Sequence, residues 1–219
     1  ANRQIHRSSA VWGESIVNIY LRLSLMLFLI CAISAGSLAL VNSATFERIL
    51  ANEQYKETVL RGKALAGPEK GEQVKFDSEP IQINGTSYYI GRLDGKVIGT
   101  AFTTTTNKGY GGPIEIVIGM NGDKITGVRI KSSSETPGLG ANATQVKYGD
   151  SEPWFLAQFK DLEPKQVRLK KDDPDGAIDA ITAATITSRA VTEAVHNQAQ
   201  AYEDVWPQVK EQMGYASAK

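Results

Sequence analysis

The chain is poor in the residues that build metal clusters and covalent staples. Its single cysteine, Cys31, excludes an internal disulfide and any cysteine-ligated cluster. The two histidines, His6 and His196, lie too far apart in sequence to suggest a histidine-based metal site. There is no surplus of either charge, because 24 Lys+Arg meet 24 Asp+Glu for a formal net charge of +0. Nothing therefore neutralises a nucleic-acid backbone, and nucleic acid is excluded as a partner. Internal repeats, low-complexity tracts and the P-loop lysine pattern are also missing. Stability must come from packing, and redox chemistry would need an organic cofactor. At 219 residues the chain has room for one ordinary domain and a modest appendage.

What is present begins with an apolar run. From Leu23 to Val41 no charged residue occurs in 19 positions. As a helix rising about 1.5 Å per residue, the run nearly spans the ~30 Å hydrocarbon core of a bilayer. It predicts a single membrane crossing, with Arg22 snorkelling at one end and Asn42, Ser43 and Thr45 opening the polar flank at the other. A cleaved signal peptide is the alternative, with Ser37 and Ala39 as small residues at a processing site, but the run exceeds the ~7–15 residues of a signal core. Arg3, Arg7 and Arg22 before the run balance Arg48, Lys56 and Arg61 after it. A short basic tail before a long domain then leaves residues 1–22 in the cytoplasm and the domain outside.

After the run, Phe46, Ile49, Leu50, Tyr55, Val59 and Leu60 recur at helical spacing, so residues 42–70 read as an amphipathic helical connector. Gly67, Pro68 and Gly71 then punctuate the chain, and a domain is expected over residues 71–219. Asn84-Gly85, Asp94-Gly95 and Asn121-Gly122 separate runs rich in Ile, Val, Tyr and Thr, the signature of tight hairpins. Four or five antiparallel strands are predicted, over Val74–Ile83, Thr86–Leu93, Lys96–Thr105, Ile114–Met120 and Lys124–Ser132. The density of apolar residues from Ile114 to Ile118 marks a central strand covered on both faces. A short helix is predicted near Trp154–Phe159 and a terminal one from Ser188 to about Asp204, ending before Pro207. The fold class is α+β. The acidic run Asp172-Asp173-Pro174-Asp175-Gly176 reads as a solvated turn that could hold a cation only weakly.

Three segments can carry chemistry. Asp179-Ala180-Ile181-Thr182-Ala183-Ala184-Thr185-Ile186-Thr187-Ser188 leads into the terminal helix, where hydroxyls beside free N–H groups favour an anionic phosphate. The commoner fate of such residues is structural, with Thr187 or Ser188 capping the helix and Asp179 closing a turn. In Ser134-Glu135-Thr136-Pro137-Gly138-Leu139-Gly140, two glycines allow close approach to a flat ligand while Glu135 and Thr136 offer polar groups at its edge, or the segment is an ordinary loop. In Gly109-Tyr110-Gly111-Gly112-Pro113, Tyr110 is a stacking candidate, although glycine-rich connections between strands are frequent without ligands.

In this order the segments resemble the FMN-binding domain shared by the G subunit of Rnf complexes and the C subunit of sodium-pumping NADH:quinone reductases. The resemblance runs from about Gly91 to Val195 and, with the anchor, covers most of the chain. In that family a flavin transferase joins FMN by a phosphoester to the last threonine of a motif Asp-x-x-Ser/Thr-Gly-Ala-Thr. Asp179, Thr182, Ala184 and Thr185 match it, which implies Thr185 as the attachment point. Ala183 stands where the motif has glycine, a change tolerable at negative φ. The family's Ser-Glu-Thr-Pro-Gly-Leu-Gly loop recurs from Ser134 to Gly140, which implies a place along the isoalloxazine ring for Glu135, Thr136, Gly138, Leu139 and Gly140. Tyr110, Gly111, Gly112 and Thr187 complete the implied binding set. The turn Gly109-Tyr110-Gly111-Gly112-Pro113-Ile114 looks like the Rnf version.

The resemblance implies a flavoprotein subunit in a bacterial or archaeal cytoplasmic membrane, passing electrons among the membrane and redox subunits of a complex that links ferredoxin and NAD to Na⁺ or H⁺ movement. Partners so implied are those subunits, the transferase and the lipid bilayer. Two readings compete: the C subunit of the reductase, and a tethered scaffold that never receives flavin. A serine or threonine hydrolase lacks a convincing base, since His196 sits in the terminal helix.

Overall fold

The computed structural model describes residues 5–147 and 149–217; Arg3 of the basic tail lies outside them. The chain divides into two compact units, Ala1–Glu53 and Gln54–Lys219.

In the first unit the backbone is helical throughout its described part, as the amino-terminal portion of α1 (Ile5–Lys70). Its apolar window is long enough to cross a membrane, and none of that window is buried against protein. Leu25, Phe28, Ile33, Leu38 and Leu40 all expose half or more of their surface, and Cys31 is exposed among them. Phe46, Ile49 and Leu50, expected on the inner face of an amphipathic connector, are exposed as well. Helical spacing there does not translate into burial, because no described element packs against those positions.

The second unit begins with the end of α1. Tyr55 is still exposed, whereas Ala64 and Leu65 are buried. Gly67 breaks the helical geometry with φ 79, immediately before Pro68. A sheet follows, built from β1 (Lys75–Phe76), β2 (Ile81–Ile83), β3 (Thr86–Leu93), β4 (Lys96–Thr106), β5 (Ile114–Asn121) and β6 (Lys124–Ser133). Its order is β1-β3-β4-β5-β6, with β2 also pairing β3, and every pairing is antiparallel. The expected strand Val74–Ile83 is thus split. Its two ends still lie along β3, Phe76 opposite Gly91 and Ile81 opposite Tyr88, but Pro80 cannot donate to a ladder and the intervening residues bend away.

Turn chemistry explains the hairpins. Asn84 and Gly85 have φ 51 and 79, and Asp94 and Gly95 have φ 50 and 77. Positive φ at both central residues gives the turn whose twist matches the strands it joins. At the third hairpin Asn121 pairs with Lys124, so the loop is Gly122-Asp123 rather than Asn121-Gly122, and only Gly122 takes positive φ, at 65.

The central strand is sealed on both faces, with Ile116, Val117 and Ile118 all at 0% exposure. After the sheet comes the short helix α2 (Trp154–Ala157), and on one face of the sheet lies α3 (Thr185–Ser217), whose Val191, Val195, Ala199, Tyr202, Val205, Val209 and Met213 form a continuous buried stripe. Phe102 of β4 and Tyr202 stack with centroids 5.2 Å apart, and burial pushes the Tyr202 phenol upward. The expected stop before Pro207 does not occur. Losing one amide bond and crowding the preceding carbonyl destabilises a helix by about 3 kcal/mol or more, but the apolar stripe continues past Pro207 and holds the last turns down. On the other face Leu65, Val74 and Ala101 form a smaller cluster. Gly119 and Gly127 leave no room for a Cβ there, because the Ala64 carbonyl lies over them and accepts a hydrogen bond from Thr126 Oγ1 at 2.8 Å.

Candidate flavin site

Register brings the glycine-rich turn and the Ser134–Gly140 loop to one end of the sheet. Thr106 of β4 pairs with Ile114 of β5, which in turn pairs with Ser133 of β6. The turn between β4 and β5 and the chain leaving β6 must therefore lie side by side. Gly111 shows how closely they lie, since a Cβ on it would collide with the Ser134 carbonyl.

Glu135 fastens the parts together. Its carboxylate is buried, Oε1 accepting from the Gly111 amide at 3.2 Å and Oε2 from the Thr187 hydroxyl at 2.7 Å. One side chain thereby ties the turn, the loop and the first turn of α3. Gly140 faces Glu135 and Thr187 so tightly that no Cβ would fit. Beyond Glu135 the loop closes on itself: the Thr136 carbonyl accepts from Leu139 and Ala141, and Gly138 turns with φ 78 while its carbonyl accepts from Asn142.

The approach to α3 is held differently from the expected cap. Ser188 Oγ accepts from the Ile181 amide at 2.9 Å and donates to the Ala184 carbonyl at 2.9 Å. This locks residues 181–184 into a turn whose third residue, Ala183, has φ 61. The motif's glycine therefore belongs to a left-handed position, and the expectation of negative φ is corrected. Alanine there is strained by its Cβ. The first helical bond runs from Ser188 N to Ala184 O, so the amides at the start of α3 have no acceptor within the helix.

Between these segments opens a cavity of about 390 Å³ lined by Tyr110, Glu135, Thr136, Leu139, Gly140, Ala183, Ala184, Thr185, Ile186 and Thr187. Nine of the fourteen residues singled out from sequence lie on this wall. Gly111, Gly112 and Gly138 are not on the wall, and Gly112 and Gly138 turn the backbone with φ 120 and 78. Thr182 is exposed and off the wall. Asp179 is also off it, its carboxylate 2.6 Å from Lys170 Nζ and its amide donating to Gln158 Oε1. Two residues escaped sequence reading. Ile186 is an exposed apolar member of the wall, and Lys171 Nζ donates to Thr185 Oγ1 at 3.3 Å.

The charges around the site are arranged in pairs. Arg189 grips Asp172 through two bonds of 2.7 and 2.6 Å, and its guanidinium holds that carboxyl below the usual range. Asp173 is likewise lowered, first by the Asp175 amide and then by Arg168. These pairs engage Asp172 and Asp173 of the acidic turn, and no group of three or more His, Cys, Asp or Glu placed to hold a metal ion occurs among the described residues. His196 Nδ1 lies 2.8 Å from the Pro164 carbonyl and lines a different cavity from Thr185, so it does not serve as a base for that hydroxyl.

Comparison with known proteins gives this geometry its family. The model of the FMN-binding domain matches residues 109–200. The G subunit of the Na⁺-translocating ferredoxin:NAD⁺ oxidoreductase complex of Acetobacterium woodii is 34% identical over 196 residues, covering 84% of this chain and 92% of the relative. The G subunit of the ion-translocating oxidoreductase complex of Methanosarcina acetivorans is 36% identical over 177 residues, covering 77% and 86%. The chain belongs to this family of G subunits. The fold of this G subunit is also that of a solved structure, the C subunit of the Na⁺-translocating NADH-quinone reductase of Parabacteroides distasonis. That structure matches with a TM-score of 0.52 at 19% identity, over 73% of this chain and 94% of the other.

The cavity of the G subunit suits FMN. Its volume falls within the ~300–1,000 Å³ of small-molecule sites. Leu139, Ile186 and Tyr110 give its wall apolar surface, and the half-buried Thr185 lies beside the ammonium of Lys171.

Proposed function

We propose that this protein carries FMN as a phosphoester on Thr185 and passes electrons within a membrane-bound ferredoxin:NAD⁺ oxidoreductase that moves Na⁺ or H⁺. The observation that carries the reading is Thr185 itself. It holds the acceptor position of the Asp179–Thr185 motif, on the wall of a cavity the size of a cofactor site and at the start of a helix. When bound, the flavin supplies one-electron exchange with neighbouring redox subunits. The chain's residues have supporting tasks. Thr185 is a tether, not a nucleophile in turnover, and a covalent link removes dissociation as a loss pathway, so a partly open site suffices. Leu139, Ile186 and Tyr110 exclude water from the ring. Glu135, through Gly111 and Thr187, holds the turn, the loop and the helix start at fixed spacing. Thr136, Gly138, Gly140, Ala184 and Gly112 shape the backbone around the ring, and Asp179, Thr182 and Ala183 form the segment read by a maturing flavin transferase.

The domain assignment follows the same reading. Residues 1–22 are a cytoplasmic tail, 23–41 cross the lipid bilayer once, 42–70 connect, and 71–219 hold the flavin on the outer side of a bacterial or archaeal cytoplasmic membrane. The test is the intact mass of the full chain purified from cells with its maturation machinery, followed by peptide mapping. The expected mass is the chain plus FMN less one water, with the adduct on the peptide containing Thr185. An unmodified mass identifies a tethered scaffold instead.

A further inference from the structure

We infer that Lys171 is the counter-ion of the phosphate on Thr185, a binding residue set by tertiary structure and lying outside the threonine motif. The inference rests on Thr185 as the attachment point and adds to it the group that neutralises the diester. Four basic side chains stand on the segment entering the acidic turn and in the first turns of α3. Arg168 pairs with Asp173 at 3.0 Å, Lys170 with Asp179 at 2.6 Å and Arg189 with Asp172 at 2.6 Å. Each of these pairs sums to zero. Lys171 is the exception among them, its ammonium directed onto Thr185 Oγ1 at 3.3 Å instead of onto a carboxylate. It lies near enough to Asp172 to lower that carboxyl, but Arg189 already neutralises Asp172 through two short bonds. An ammonium that none of these three pairs uses thus stands at the hydroxyl. A phosphodiester carries one negative charge, and esterification sets its unbridged oxygens beside the atom that Lys171 already contacts.

The fold makes the encounter. Leu169 bridges Ile178, and the Lys170 amide donates to the Ile178 carbonyl, so the acidic turn folds back along the segment leading to α3. Arg189, one turn into α3, then draws Asp172 toward the helix. Lys171, between these two anchored neighbours, is carried to the start of α3. A charge so placed holds the phosphate end of the cofactor still while the ring occupies the cavity. It does so by an ion pair at the surface, which salt screens.

The test is phosphorus NMR on the flavin-loaded full chain in detergent, comparing the native protein with Lys171→Gln and Lys171→Arg. The expected result is a phosphodiester resonance displaced in Lys171→Gln and restored by Lys171→Arg, with the native resonance moving toward that of Lys171→Gln as salt is raised toward about 1 M. An amine-acetylation footprint of the native chain gives an independent reading that needs no Lys171 variant to load. Lys171 should be acetylated roughly two- to fivefold more slowly in loaded protein than in unloaded Thr185→Val, the size of effect an exposed ion pair allows. Lys170, held by Asp179 in either state, should not change. A diester resonance indifferent to Lys171→Gln, with equal acetylation of Lys171 in both forms, overturns the pairing and leaves the tether standing. Absence of any diester resonance in native protein overturns both.

Discussion

The Thr187 hydroxyl donates to Glu135 Oε2 at 2.7 Å, across 52 residues of sequence, with both side chains buried. Thr187→Val removes this donor and leaves a carboxylate oxygen without its partner in a water-poor site, which destabilises by about 1–3 kcal/mol. The urea midpoint should fall accordingly at unchanged slope. Flavin fluorescence should remain on the denatured band, since this hydroxyl is a brace and not the acceptor. A midpoint equal to that of the native chain would show that Glu135 is satisfied without Thr187.

Gly140 meets the same pair from the other side, because a Cβ on it would strike both Glu135 and Thr187. Overpacking of this kind typically destabilises by about 1–3 kcal/mol. Gly140→Ala should therefore lower stability and flavin loading together, whereas Gly138→Ala, which meets no atom within 4 Å, suffers only from its φ of 78. Ranking the two urea midpoints decides the matter: a larger loss at Gly138 contradicts the steric account.

Ala183 offers a prediction of opposite sign. Its φ of 61 places the methyl where an L side chain is crowded by the following carbonyl, and the residue is exposed, so nothing is lost by removing it. Ala183→Gly should raise stability by up to about 1 kcal/mol. Ala183→Val, with its branch at Cβ, should lower it. Thermal midpoints of the three chains, measured in one detergent, check the order.

Much of the sheet was legible in the sequence because its determinants are local. Thr86–Leu93 is found with the boundaries expected from the two flanking Asn-Gly and Asp-Gly turns, and the crowding of Ile and Val in β5 matches its place between β4 and β6. What local pattern could not show is set by tertiary contact. The continuation of α3 past Pro207 depends on a core that rewards burial of Val209 and Met213. Glu135 and Thr187 were legible as site candidates, but not as partners, since only sheet register brings their segments together. Lys171 carried no signal at all: it is one of two adjacent lysines beside an acidic turn, and its proximity to Thr185 arises from the Leu169–Ile178 bridge.

Acid should loosen the turn that carries Lys171. Hydrogen bonding from Arg189 lowers the Asp172 carboxyl in the folded chain relative to its unfolded value near 3.9. The folded state therefore binds its proton less readily than the unfolded state, and the pair contributes stability above the unfolded value. That contribution disappears as pH falls below about 4 and through the folded value. Asp172→Asn cannot titrate, so the drop in urea midpoint between pH 5 and pH 3 should be smaller in this variant than in the native chain, with high salt narrowing the difference. Equal drops would mean that the Arg189 pair does not sense the transition.

Attachment itself is tested at Thr185. The neighbouring hydroxyls have other employment: Thr187 is buried on Glu135, and Ser188 is shared between the Ile181 amide and the Ala184 carbonyl. Neither can be esterified without breaking those bonds, whereas Thr185 is half-buried on the cavity wall and its hydroxyl accepts from a lysine ammonium that a phosphate would keep. Thr185→Ala should thus abolish flavin fluorescence on denaturing gels while the folded chain keeps the native urea midpoint within about 0.5 kcal/mol. Thr185→Ser retains a hydroxyl at the same place and should keep some label, at a level set by how far the transferase depends on the missing methyl. Persistence of label in Thr185→Ala, mapped to residue 182, 187 or 188, would move the ester and with it the argument for Lys171.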